Sequence, residues 1–362
     1  VESCREEIGG PSTIAFVFIS NDWANSLDEL IEIVQVYGHT AHVVGCTSES
    51  LICTGEEHED TSGCSLLFLS LPDTKVEVLT MEEYEAEAET LSLGVKPRED
   101  ASWITLCNPR LMHAEAWMLA WNEAVNQAPT FGGLAGGNDP TEFRVFHNHS
   151  HRDLAVVAVQ LQGGIRVEGV VSQGCRPIGE PYTITQVDDN QLIQIASRKA
   201  FEVLEATVKG LSEREKIAAQ GNLFVGLAMS EYVDEFKRGD FLVRNILGGD
   251  PEAGILAVGA YPRTGQTVQF QIRDKEAASD DLREMCQSKM TESGSPFAGL
   301  LFSCSGRGQS LFKVPNHDAA LIADTFGRVP LTGFFCNGEI GPIGSSNFLH
   351  GYTASTAFLY HA

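Results

Sequence analysis

One arrangement recurs along this chain and narrows what it can fold into. An apolar strand is followed by an amphipathic helix and then, about 30 residues after the first strand, by a second apolar strand ending in small residues. IAFVFIS, flanked by Asn and Asp, reads as a buried strand. NSLDELIEIVQVYG then places Leu27, Leu30, Ile31, Val34 and Tyr37 at helical spacing, with Ser26 or Asn25 as N-cap and Gly38 as the stop. AHVVGCTSES and GCSLLFLSL read as further strands. The unit returns as WITLCN, MHAEAWMLAWNEAVNQ and PTFGGLAGG, whose helix puts Met112, Ala116, Leu119 and Ala120 on one side. It returns again as AGLLFSCSGRG, HDAALIADTFGR and PLTGFFCNGEI. FRVFHN, DLAVVAVQLQ and ASTAFLY add strands around these units.

A helix between two strands permits a parallel pair, and short connections afterwards add antiparallel strands. The expected class is α/β, with mixed sheets, helices on their outer faces and repeated strand-helix-strand-strand units in two lobes. The middle of the chain is different. It is rich in β formers, with NLFVGLAMS, DFLVRNILGGDPEAGILAVGAY and QTVQFQIRD as strands and SRKAFEVLEATVKGLS as a helix. A boundary is expected near residues 160–180, and MEEYEAEAETL reads as a solvated helix face.

Composition removes several functions. A formal net charge of −24 disfavours nucleic acid, which demands clustered Lys and Arg, and disfavours anionic membrane surfaces. No apolar run approaches the roughly 20 residues of a spanning helix. The polar VESCREEIGGPS start has neither the charged nor the apolar region of a signal peptide. Nine scattered cysteines without a CxxC suggest free thiols in a reducing compartment, so the expectation is an intracellular protein of the cytoplasm or an organelle stroma.

Chemistry concentrates near the C-terminus. In GLLFSCSGRGQ the N–H groups around Gly306 and Gly308 could form an anion-holding nest. Arg307 adds a fork of donors suited to a carboxylate or phosphate, and Cys304 lies two residues before the nest. In NGEIGP, Glu339 could bind an amino group, cap backbone donors or pair with Arg307. His350 in FLHGYTAS could be a ligand, a base or a satisfied buried histidine. The glycines between Pro330 and Ser355 are expected to strip side chains from one wall of a cavity. HNHSH could share a strand face and bind metal, but its Asn and Ser favour a polar turn. GGLAGGND lacks the following helix of a dinucleotide loop, and the chain has no GKS or GKT, HExxH or GxSxG signature.

GCTSES, PTFGGLAGGND, GCRPIGEP and LLFSCSGRG, and above all GFFCNGEIGP followed by FLHGYTAS, resemble the FIST family (F-box and intracellular signal transduction). The resemblance covers almost the whole chain, with an N-terminal half over 14–162 and a C-terminal half over 174–358. It implies a sensory domain for small ligands, amino acids among them. With no F-box, kinase or cyclase module visible in the sequence, output is expected through a protein partner or through oligomerisation. It also allows a haem-binding gas sensor, with His350 as the candidate ligand. The leading expectation is a non-enzymatic binding protein whose pocket is formed by Cys304, Arg307, Gly308, Asn337, Glu339 and His350 with Gly136 and Asn138. Arg307 would meet an anionic group and Glu339 a cationic one. An interaction scaffold and an enzyme using Cys304 as nucleophile are the alternatives, and a binding protein ranks above the enzyme because no catalytic signature is present.

Overall fold

The recurring unit is realised three times in space. The computed structural model describes residues 1–87, 91–93, 100–137 and 139–362. These form two compact units, Val1–Val171 with Leu282–Ala362, and Ser172–Asp281. In the first unit every strand-helix-strand segment is a crossover between parallel neighbours. Ile14–Ser20 lies beside His42–Ser48, Ala101–Cys107 beside Thr130–Leu134, and Ala298–Cys304 beside Leu331–Cys336. The connecting helices are Leu27–Gly38, Ala114–Ala124 and His317–Phe326. The α/β class with mixed sheets is therefore the architecture observed.

Each crossover is flanked in the same way. A later strand pairs antiparallel with the first member: Cys64–Leu69, Leu154–Gly163 and Thr353–His361 respectively. The strand that follows the second member leaves its own module. Leu51–Cys53 pairs with Leu331–Cys336, Val145–His147 with His42–Ser48, and Glu339–Ile343 with Thr130–Leu134. The exchange is cyclic: module one completes module three, module two completes module one, and module three completes module two.

Register explains the recurring glycines. Gly45, Gly132 and Gly333 oppose Val17, Thr105 and Leu301 in the three parallel pairs. A Cβ at these glycines would lie 1.7, 1.8 and 1.9 Å from the carbonyl oxygens of those partners. The residues one step further on build the common core. Phe18, Phe302 and Phe334 cluster with centroid separations of 4.8 to 6.5 Å. Gly133 makes room, since a Cβ there would stand 2.4 Å from Cys336 Sγ.

The helices correct two sequence expectations. Helix Leu27–Gly38 runs through Gly38, and His39, at φ 49°, takes the left-handed position. Gly38 is required for packing, because its Cβ would lie 2.4 Å from the Phe68 ring. In helix Ala114–Ala124 the buried residues are Trp117, Met118 and Trp121, while Leu119 is 72% exposed. A stack of Trp117 on Trp121, itself edge-on to Trp103, fixes that face. MEEYEAEAETL includes the short capped helix Glu83–Ala86, and part of the stretch lies outside the described residues.

The second unit is antiparallel. Cys175–Asp188, Thr267–Arg273, Leu223–Ala228, Phe241–Asp250, Ile255–Val258 and Gln191–Ile195 follow one another across the sheet. Cys175–Asp188 also pairs with Gln191–Ile195, which closes the sheet into a ring. Ile184, Leu192, Val225 and Phe270 belong to its core. Among the described residues no helix is long and apolar enough to cross a membrane.

Candidate functional site

In parallel α/β structures ligands gather where strands end and helices begin. In the third module that place is the carboxyl end of Ala298–Cys304 and Leu331–Cys336. After Cys304 the backbone turns back on itself: Ser305 N–H donates to Cys336 O at 2.9 Å and Arg307 N–H to Cys304 O at 2.8 Å. Gly308, at φ 56°, then starts the short helix Gly308–Phe312. The nest expected here holds an anion from the chain itself. Gln309 N–H donates to Glu59 Oε1 at 2.8 Å, and a Cβ on Gly308 would lie 2.6 Å from that oxygen.

Arg307 points inward and is completely buried. Its acid is Asp318, in the first turn of helix His317–Phe326, rather than Glu339. Nε and Nη2 donate to the Asp318 oxygens at 2.6 and 2.9 Å, a bidentate match of fork to carboxylate. Ser303 Oγ donates to Oδ2 at 3.1 Å, and His317 Nδ1 stands 2.9 Å from Oδ1. Burial opposes the charge on Asp318, yet Arg307 overrides it and holds the carboxyl well below the usual range. The His317 ring stacks on Phe312 with centroids 3.4 Å apart. It also lines an open groove of about 850 Å³ that includes Arg283, Gln287 and Asp324.

Two more buried acids complete the cluster. Glu57 Oε1 accepts from the N–H groups of Asp318 and Ala319 at 2.8 and 3.0 Å, capping the helix start. Burial, then the neighbouring Asp318, pushes Glu57 up to about 7. Glu339 Oε2 accepts from Thr353 N–H at 3.0 Å and Thr353 Oγ at 2.8 Å. Burial pushes Glu339 up to about 8, against the Thr353 bonds, the field of Arg307 and the facing Cys304 thiol. Within this cluster three buried polar atoms, Glu57 Oε2, Arg307 Nη1 and Glu339 Oε1, have no N–H, O–H or oxygen partner among the described residues. Buried polar atoms are normally satisfied, so three orphans around one ion pair are unusual.

Cys304, Arg307 and Glu339 are thus brought together, with Cys304 partly exposed and both charged residues fully buried. Asn337 is exposed, with its Cγ 3.3 Å from where a Gly136 Cβ would stand. Asn138 lies outside the described residues. At Gly333, Gly338 and Gly341 the cavity-wall expectation gives way to packing. Cβ atoms at Gly338 and Gly341 would stand 2.7 Å from Leu134 Cδ1 and 2.5 Å from Val171 Cγ2. His350 is 3% exposed, and its Nε2 lies 3.0 Å from Gly341 O across the hairpin. An imidazole nitrogen committed to a backbone carbonyl in a packed hairpin does not fit haem ligation.

Of the HNHSH histidines, His147 ends strand Val145–His147 and His149 lies in the turn that follows, with Asn148 at φ 51°. His147 Nε2 is 3.1 Å from His42 Nδ1, and His149 and His151 both face Asp28 Oδ1, at 3.3 and 3.1 Å. Sequence reasoning missed Asp318, Glu57 and Glu59. Asp318 had a local signal, an acid in the first turn of a helix just beyond a buried arginine. Glu57 and Glu59 sit in EEHED, which has the look of a solvated acidic run.

Comparison with known proteins gives a consistent assignment. A family model for the FIST N domain matches residues 13–198, and one for the FIST C domain matches 200–342. A Mycobacterium tuberculosis protein described as uncharacterized is 33% identical over 358 residues, 98% of this chain and 93% of its own. A Mycobacterium bovis protein, also described as uncharacterized, is 32% identical over 359 residues, 98% and 92% of the two chains. An F-box/LRR-repeat protein of Arabidopsis thaliana is 32% identical over 105 residues, 28% of this chain and 20% of its own.

Proposed function

The chain belongs to the FIST family, whose domains are sensory modules of signal transduction, and we propose that it binds a small amino-acid-like molecule at the Arg307–Glu339 cluster. The observation that supports this reading is the pair of orphaned buried atoms, Arg307 Nη1 and Glu339 Oε1. Asp318 already uses the Nε–Nη2 edge of the guanidinium, which leaves Nη1 for a single carboxylate oxygen. Glu339 Oε2 is occupied by Thr353, which leaves Oε1 for an ammonium group. A cation there would favour the ionised carboxyl and repay part of its burial cost. Both side chains are buried, so the ligand must be small and enter through a local opening.

A melting screen of the purified protein against amino acids tests the proposal. A ligand at a hundredfold its Kd stabilises the folded state by about 2.7 kcal/mol, which raises the midpoint by several degrees. Glu339→Gln removes the ammonium partner and is expected to abolish that shift. A midpoint that no amino acid moves, or a shift retained in full by the variant, rules the site out.

A second reading, a scaffold that recruits a protein partner, is favoured by the Arabidopsis relative. There the similarity covers a fifth of a protein described as F-box/LRR-repeat. A stoichiometric partner captured by the full chain, and retained by Glu339→Gln without any added ligand, would select this reading.

A further inference from the structure

The strand ends that carry Arg307 also carry a pair of thiols. Cys304 and Cys336 are direct register partners in neighbouring parallel strands. Adjacent strands run about 4.8 Å apart, and a disulfide accepts Cα separations of roughly 4.4 to 6.8 Å. Directly paired residues project from the same face of a sheet, so the two sulfurs share one side. Neither cysteine is in a disulfide; Cys304 is partly exposed and Cys336 is buried. Cys336 Sγ occupies the space that Gly133 leaves by lacking a side chain. The Glu339 carboxyl faces the Cys304 thiol, and its Oε1 has no N–H or O–H donor. The Arg307 guanidinium lies in the electrostatic field of both Cys304 and Glu339. An attacking thiol, a proton acceptor, a cation and a second thiol are therefore adjacent.

We propose that Cys304 is a peroxide-reactive thiol and that Cys336 resolves its oxidised form into a disulfide. In the first step Glu339, which ionises as the pH rises towards 8, takes the Cys304 proton in its ionised form, and the thiolate attacks one oxygen of hydrogen peroxide. The O–O bond breaks, and the departing oxygen takes the proton back from Glu339 and leaves as water. Cys304 is left as a sulfenic acid, two electrons having passed from sulfur to peroxide. In the second step the Cys336 sulfur attacks the Cys304 sulfur and the S–O bond breaks. The hydroxyl leaves as water with the Cys336 proton. Two thiols and one peroxide become one disulfide and two waters. The bond joins the two parallel strands at the point where the Arg307 turn begins, so oxidation acts on the segment holding the guanidinium.

The test uses the full chain, reduced, freed of reductant and exposed to one equivalent of hydrogen peroxide. Peptide mapping without reduction is expected to recover a Cys304–Cys336 disulfide. In Cys336→Ser the same treatment with dimedone is expected to label Cys304 as a trapped sulfenic acid. Glu339→Gln is expected to slow Cys304 oxidation by about tenfold or more, as loss of a positioned base does. Cys4, Cys53 and Cys64, also partly exposed, report the unassisted rate in the same sample. Oxidation of Cys304 no faster than these three overturns the proposal. So does a disulfide between Cys53 and Cys64 with Cys304 left reduced. The mapping needs no variant and no amino acid, so its outcome is separable from that of the ligand screen.

Discussion

At the scale of single residues the unusual element is a buried run of acids around one guanidinium. Asp318 keeps its charge because Arg307 meets it with two hydrogen bonds. Removing either partner would strand the other in a medium of low polarity, which typically costs about 3–5 kcal/mol. Glu57 and Glu339 have no such partner, and burial pushes them up to about 7 and about 8 from an ordinary value of 4.5. Between those limits the folded chain holds protons that the unfolded chain has released. Their contribution to stability is therefore fully present below about pH 4.5 and is lost as the pH rises through 7 and 8. Glu339→Gln mimics the protonated acid at every pH. Its unfolding free energy from urea titration, relative to the natural chain, is expected to climb between pH 5 and 9, by an amount on the order of a few kcal/mol at the top. Parallel profiles for the two proteins would mean that Glu339 is ionised in the folded state throughout.

At the scale of elements the sequence was most legible where chemistry and periodicity agree. The three crossovers were readable because a continuous apolar run, a helical stripe and a second run ending in small residues leave few alternatives. The purpose of the small residues was not readable. A glycine in a strand can ease a turn, admit a ligand or admit another backbone, and only register shows that Gly45, Gly132 and Gly333 stand against partner carbonyls. The long helix Lys275–Ser293 escaped the sequence reading because its charged sequence buries a narrow seam, Ala278, Leu282 and Cys286, spaced by four. The outward face of helix Ala114–Ala124 was misassigned because counting apolar positions gives Leu119 the same weight as a tryptophan, whereas the Trp stack sets the packing. The glycine contacts carry a direct prediction. Alanine at Gly45 or Gly333 must push two hydrogen-bonded strands apart, and each is expected to cost about 3 kcal/mol or more. Gly10, with nothing within 4 Å of its missing Cβ, is the control. Gly10→Ala is expected to stay within about 0.5 kcal/mol in the same denaturation series. Equal costs at all three sites would show that the close approaches are not what selects glycine.

At the scale of the whole molecule, what sequence could not supply was which distant strands meet. Arg307 and Asp318 are eleven residues apart, close enough for a local pattern to suggest them. Glu57 and Asp318 are 261 apart, and nothing in EEHED announces a helix cap in another module. The same holds for the sheets, where Leu51–Cys53 completes the sheet of Leu331–Cys336. The cyclic exchange has a thermodynamic consequence within the first unit. Equivalent bonds close its three sheets: Thr47 N–H to Arg144 O, Leu134 N–H to Gly338 O, and Phe335 N–H to Ser50 O, at 2.9, 2.9 and 3.0 Å. Each joins the second strand of one module to the segment following the second strand of another. No module can open without removing an edge from one neighbour and losing an edge supplied by the other. The three amides are therefore expected to exchange with deuterium through one shared opening, with the same free energy and the same dependence on denaturant. Weakening one module should be felt in all. A destabilising Gly45→Ala in the first module should lower the protection of Phe335 in the third by as much as that of Thr47. If Thr47 instead loses protection alone, the modules fold independently, and the exchanged strands are ornaments on three separate cores rather than the bond that unites them.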